Sequence, residues 1–251
     1  MSEHVLRILT LYPEQLGVSG DRGNAMTLAE RARRAGIGSE QLEYRVGDTV
    51  PGDVDVVLLG HGPLSGVRSV SHDAQRLREP LERLADAGVP LLAVGGGLEL
   101  TTRGVVTTEG ETVQGIGYFD ALVRRGATRR TNYFRVTTPY GGSEIELFGF
   151  EDHASSLELG STARPFGHVV YGGGNGSDSA EGVVRGASIG TQMKGPILPL
   201  NPALADRLLV AALSRHGVTY ETSEAHSTLD DYAAASQKVI ADNLDRAFKA
   251  M

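Results

Sequence analysis

The sequence predicts an α/β fold, a mostly parallel twisted sheet flanked by helices on both faces. Three observations predict it. Residues 54–59 and 91–94 are short apolar runs without polar alternation, as strands buried on both faces require. Helical patterns separate successive strands. Glycine clusters stand where strands end, at Gly60-His61-Gly62-Pro63 and Gly95-Gly96-Gly97.

In chain order, residues 5–9 form the first strand, ending at Tyr12-Pro13, and Gly20-Asp21-Arg22-Gly23-Asn24 form a turn. A helix follows with Met26, Leu28 and Ala29 on its apolar side and stops near Ala35-Gly36. Residues 42–46 are a second strand and 54–59 a third. An amphipathic helix over 71–87 is stopped by Gly88-Val89-Pro90, and the strand 91–94 runs into the triple glycine and another helix.

From 105 to 193 the pattern changes to short, glycine-punctuated strand pieces, expected as hairpins and edge strands of the same domain. The run 172–177 has the composition of a mobile loop. Asn201-Pro202 reads as a cap with proline at the first helical position, opening a helix that Gly217 closes. The last helix, about 227–249, starts at Ser227 with Asp230 at capping-box spacing. Its stripe of Leu229, Tyr232, Val239, Ile240, Leu244 and Phe248 predicts core packing, with a partner face as the alternative. No repeat or linker divides the chain, so 1–251 is expected to be one domain.

The formal net charge of −7 and the absence of a basic patch argue against nucleic-acid binding. No apolar run approaches the roughly 20 residues of a membrane span, and the first residues carry no signal-peptide pattern, so a cytoplasmic location is expected. There is no cysteine, which excludes disulfides, thiolate metal sites and thiol nucleophiles. His4, His72, His168, His216 and His226 are scattered without metal-ligand spacing, and neither a metal nor a cofactor is expected.

The strand–Gly95-Gly96-Gly97–helix segment has the form of a nucleophile elbow, a sharp turn that lifts one side chain above the sheet and aims backbone N–H groups at a developing oxyanion. A plain tight turn remains open on these residues alone. A phosphate loop does not fit, because no Gly-Lys-Ser/Thr ending follows, and the glycines are not spaced for a dinucleotide.

Other segments make the pattern specific. They are Leu11-Tyr12-Pro13 with Gly20-Asp21-Arg22-Gly23-Asn24, then Gly115-Ile116-Gly117-Tyr118-Phe119, Gly149-Phe150-Glu151-Asp152-His153, and residues 190–202. Together they resemble, from end to end, the GatD-type glutaminase subunits of MurT–GatD lipid II amidating complexes, within the cobyric-acid-synthase branch of class I glutamine amidotransferases. The resemblance implies a class I amidotransferase-like fold and a heterodimer with a MurT-like Mur ligase subunit that binds ATP and reaches the lipid II acceptor.

The resemblance also marks departures. The family carries Cys-Gly-Gly at the elbow, where this chain has Gly95, and a histidine base in its Gly-Thr-…-His-Gly-Pro motif, where it has Lys194. Gly60-His61-Gly62-Pro63-Leu64 replaces a Gly-Gly-Gly-Gln-Asp loop near the oxyanion hole, and Ala154-Ser155-Ser156-Leu157 replaces a Gly-Gly-Arg-Thr-like stretch. Nucleophile and base act as a unit, so losing both implies an inactive glutaminase. By this alignment Gly95 and Lys194 are vestigial positions, and Gly60, His61, Gly62 and Gly96 border the former oxyanion region. Lys194 reads first as a solvated or anion-pairing lysine, with reuse as a nucleophile or base as the alternative. His61 reads as a turn histidine, with a role in the old site as the alternative, and His153 as structural.

Overall fold

A computed structural model describes residues 4–176 and 178–244. In chain order the elements are β1 (Val5–Leu11), α1 (Arg22–Arg34), β2 (Gly38–Tyr44), β3 (Val56–Leu59), α2 (Leu64–Ala74), α3 (Arg78–Asp86), β4 (Leu91–Val94), α4 (Gly96–Thr101), β5 (Gly104–Val106) and β6 (Thr112–Gln114). There follow β7 (Ala121–Thr138), β8 (Ile145–Leu159), β9 (Gly167–Tyr171), β10 (Ala180–Glu181), β11 (Val183–Arg185), β12 (Ser188–Thr191), α5 (Ile197–Leu200), α6 (Pro202–Ser214) and α7 (Ser227–Asp242).

The first sheet has the order β11-β12-β4-β3-β1-β2, parallel throughout except for the edge pair β11–β12. Alternate residues of its central strands feed two apolar layers. Leu9, Leu11, Val57, Leu59, Leu91 and Ala93 pack on one face, and Leu6, Ile8, Val56, Leu58, Leu92 and Val94 on the other. That two-sided burial is why the strands read as unbroken apolar runs.

The second half contains the expected hairpins, but β5–β6 and β7–β8 are not edge strands of the first sheet. They belong to a second six-stranded sheet, β10-β9-β7-β5-β6 with β8 beside β7. Its spine is the long β7–β8 hairpin, whose register slips between Arg125 and Arg130. A bulge of this kind shifts the inside–outside alternation midway, so no single period marks the strand.

Several local expectations are corrected. The second strand is Gly38–Tyr44, earlier than 42–46. The 71–87 helix is two helices, α2 and α3, joined by a 3-10 turn at Gln75–Leu77. Pro80 sits in the first turn of α3, where a missing N–H is tolerated, which sets the break before it. Met26 is 57% exposed, and the buried face of α1 is instead Asn24, Ala25, Leu28, Arg31 and Ala32.

The run at 172–176 is tied down. Asn175 donates from Nδ2 to the Gly182 carbonyl and accepts the Gly182 N–H at Oδ1, while Ser177 lies outside the described residues. Asn201 does not cap α6 with its side chain. It accepts the Phe148 N–H and donates to the Phe148 and Ile197 carbonyls. The capping box before α7 is formed by Ser223 and His226, while Asp230 pairs with Arg31.

The α7 stripe is not core. Tyr232 is 71% and Val239 58% exposed, and Ala233 is the buried residue of that helix. The expected end of the helix at 249, and Phe248 with it, lie outside the described residues. No helix among the described residues is long and apolar enough to cross a membrane.

Candidate functional site: a plugged elbow

The turn after β4 has the elbow geometry. Gly95 takes φ +51°, and its N–H donates to the Thr191 carbonyl at 2.9 Å. Its own carbonyl accepts Glu99 N–H at 2.9 Å, so α4 grows directly out of the turn. A side chain would be strained at this φ.

Space excludes one as well. A Cβ on Gly95 would stand 2.4 Å from His61 Nδ1 and 3.1 Å from Lys194 Cε. The Gly96 N–H, the donor such a turn offers to an oxyanion, is given to His61 Nδ1 at 3.0 Å. Nδ1 is therefore the acceptor nitrogen of a neutral ring. Burial pushes the His61 pKa down to about 3, and the Lys194 and Arg125 charges add to that. His61 is thus more than a turn histidine: it occupies the pocket above the elbow.

Lys194 is buried, not solvated, and its Nζ donates to the Asp152 backbone carbonyl rather than to an anion. Burial lowers its pKa to about 8, with the Asp152 and Glu99 carboxylates opposing the shift. Gly60, His61, Gly62, Gly96 and Lys194 do come together around Gly95. Gly97 N–H donates to the Gly60 carbonyl at 2.9 Å, and a Cβ on Gly96 would stand 2.5 Å from the Gly62 oxygen.

Four charged residues that the sequence reading missed complete the basin, which has a volume of about 330 Å³. Buried Glu99, on α4, accepts two hydrogen bonds from Arg125 Nη2 at 2.9 and 2.7 Å. Burial raises the Glu99 pKa against the pull of that guanidinium. Arg129 binds Asp152 through two parallel bonds, 2.6 and 2.7 Å. Glu99 was legible as a carboxylate one turn past the elbow. The arginines were not, because the register slip in β7 hides which side they face.

His153 is buried, with Nδ1 against the Ser155 carbonyl at 2.9 Å and Nε2 3.4 Å from Glu151. Asp21, in the turn before α1, is also buried nearby, and burial raises its pKa to about 6. Each guanidinium here is already matched to a carboxylate.

Residues 7–202 match the family of CobB/CobQ-like glutamine amidotransferase domains. The chain belongs to that family. A Staphylococcus aureus (strain N315) relative, "Lipid II isoglutaminyl synthase (glutamine-hydrolyzing) subunit GatD", is 28% identical over 249 residues, 97% of this chain and 98% of its own. The same-named protein of Streptococcus pneumoniae (strain ATCC BAA-255 / R6) is 26% identical over 84% of this chain and 81% of its own.

Solved structures share the amidotransferase fold. They include PurLQS from Thermotoga maritima, with a TM-score of 0.60 at 13% identity over 84% of this chain and 99% of that one. The glutaminase domain of Trypanosoma brucei CTPS gives 0.53 at 15% identity over 88% and 99%. The class I amidotransferase fold expected from the motifs is therefore the one observed, on a chain that contains no cysteine.

Proposed function

We propose that this chain is a catalytically inactive, GatD-like subunit of a MurT-like Mur ligase complex that modifies the peptidoglycan precursor lipid II. The partner binds ATP and uses free ammonia or another amine, such as an amino acid, in place of glutamine-derived ammonia. The observation that carries this reading is the elbow. Gly95 offers no nucleophile, and His61 takes both the space of its side chain and the Gly96 N–H. A glutamine carboxamide would need that space and that donor together. Lys194, at the position of the family's histidine base, is committed to a backbone carbonyl.

In this reading residues 1–251 act as one amidotransferase-like domain in the cytoplasm, holding the ligase and shaping its amine entrance. The test gives the purified pair ATP, a lipid II acceptor, and separately labelled glutamine, ammonium and glycine. Label transferred only from a free amine supports the reading, and label from the glutamine side chain overturns it. A partner equally stable and active alone removes the scaffold role.

A second reading, an amidohydrolase with chemistry rebuilt on Lys194 and His61, draws on the lowered Lys194 pKa. It requires the isolated chain to turn over glutamine or a related amide and to lose that activity in Lys194→Ala. Saturable binding without product, seen by calorimetry, would instead assign a metabolite-binding module.

A further inference from the structure

In a parallel sheet one end of the strands carries the elbow and the other is free to do something else. Gly95 follows the last residue of β4, whereas His4 precedes the first residue of β1 and Asp55 the first of β3. Those two starts are neighbours, with Ile8 opposite Val56. His216, in the turn after α6, reaches the same place. His4 Nε2 lies 3.0 Å from Asp55 Oδ2, and His216 Nε2 lies 2.7 Å from Asp55 Oδ1.

The two imidazoles stack at a centroid distance of 4.2 Å, and one nitrogen from each ring and one carboxylate oxygen all fall within 4.8 Å of one another. The contributing residues are 51 and 161 positions from Asp55, so no local spacing in the sequence announces the cluster.

We propose that His4, Asp55 and His216 form a binding site for a zinc-class transition-metal ion, separate from the elbow. Two imidazoles and one carboxylate are the donor set of an open zinc site, which leaves a fourth position for water. The side chain of His216 is 37% exposed, so solvent reaches that position. A single carboxylate is too poor in oxygen for calcium or magnesium, which sets the selectivity.

The carboxylate is already oriented for this. Asp55 is 2% exposed, and its Oδ2 accepts the Arg7 backbone N–H at 2.8 Å, the kind of outer contact that fixes a ligand in place. Tetrahedral ligands about 2.1 Å from zinc stand about 3.4 Å apart, so binding would open the 3.0 and 2.7 Å contacts to Asp55 slightly and turn the two stacked rings toward one ion.

Among the described residues, Arg215 opposes the site. Arg215 Nη1 lies 3.6 Å from Asp55 Oδ1 and competes with a cation for that oxygen. Replacing it by a neutral residue should therefore tighten binding, which a purely structural histidine–aspartate contact would not do.

The experiment is calorimetric titration of the untagged full chain with zinc, and with magnesium as the control. Expected is one zinc per chain, no magnesium binding, and a Tm rise of about 5–10 °C at zinc a hundredfold above Kd. His216→Ala and His4→Gln should each weaken zinc by about tenfold or more, while exposed His72→Ala and His168→Ala leave it unchanged. Arg215→Gln should strengthen it. If the ligand variants fail to fold, X-ray absorption at the zinc edge of the wild-type chain decides, by showing or not showing two nitrogen ligands from imidazole. Absence of saturable zinc binding, or binding undiminished in the His4→Gln/His216→Ala chain, overturns the proposal.

Discussion

His61 Nδ1 accepts the Gly96 N–H across 3.0 Å, and that one bond seals the turn from which an amidotransferase nucleophile would act. The ring and the glycine are mutually dependent. His61 fits because residue 95 has no Cβ, and residue 95 can hold φ +51° at little cost because it is glycine.

Restoring the thiol alone should therefore fail. Gly95→Cys places a Cβ 2.4 Å from His61 Nδ1 and a side chain at positive φ. We expect a loss of about 1–3 kcal/mol in stability and no glutamate release from glutamine. His61→Gly in the same chain should recover part of the loss. A thermal-denaturation cycle over the two single variants and the pair reads the coupling, and additivity would show that the two positions are independent.

Three displaced groups make separable contributions to the pH dependence of stability. His61 titrates at about 3 in the folded chain against 6.5 unfolded, so between those values the unfolded chain takes a proton that the folded one refuses. Its contribution falls as pH drops through 6.5 toward 3. Asp21, raised from 3.8 to about 6, acts oppositely and adds stability as pH falls from 6 to 3.8. His61→Gln should thus lose less of its pH 7 stability at pH 4.5 than the wild type, and Asp21→Asn should lose more, read as urea midpoints. Lys194, lowered from 10.5 to about 8, leaves the unfolded chain with more bound protons above pH 8. Its contribution therefore rises from pH 8 to 10, and Lys194→Met should flatten that rise.

The Glu99–Arg125 pair should show the asymmetry of buried ion pairs. Arg125→Met strands a carboxylate that is 4% exposed. Because the arginine side chain is itself 29% exposed, water moderates the cost to about 2–3 kcal/mol. Adding Glu99→Gln should recover most of it, as chemical denaturation would show. A double variant no better than the single would mean that the pair does not set the energy of the basin.

What could be read from the sequence was whatever a single period or a single turn controls. The β3 and β4 runs announce a sheet buried on both faces, and the triple glycine announces the turn at its carboxyl end. The second sheet was lost because the slip between Arg125 and Arg130 breaks the alternation of β7. The start of α2 was lost because Ser65 and Gly66 are weak helix formers, held there by burial of Val67 and Val70. His61 could be suspected from its place in the glycine loop, but its hydrogen bond to Gly96 spans 35 positions and exists only in the fold.

The apolar stripe of α7 misled for a related reason, and it leads to the last prediction. With Tyr232 and Val239 exposed, little apolar burial holds the helix, and polar ties take over. The main one is Arg31, 1% exposed on α1, which binds Asp206 of α6 at 2.6 and 2.8 Å and Asp230 of α7 at 2.6 Å. Gln237 adds a bond from Nε2 to the Leu200 carbonyl at 2.8 Å. In Arg31→Met, Asp206 keeps the Tyr220 hydroxyl at 2.5 Å, whereas Asp230 is left to solvent. Both carboxylates can hydrate, so the global cost should stay near 2–3 kcal/mol, below that of a fully buried charge. The local effect should be larger. Hydrogen exchange of the α7 amides should quicken by about tenfold to a hundredfold more than that of β3 and β4. Asp230→Asn should reproduce the α7 effect while leaving the α1–α6 contact protected. Equal acceleration across α6, α7 and the central strands would mean that α7 is held by the core after all, and that Arg31 serves the whole fold rather than this one helix.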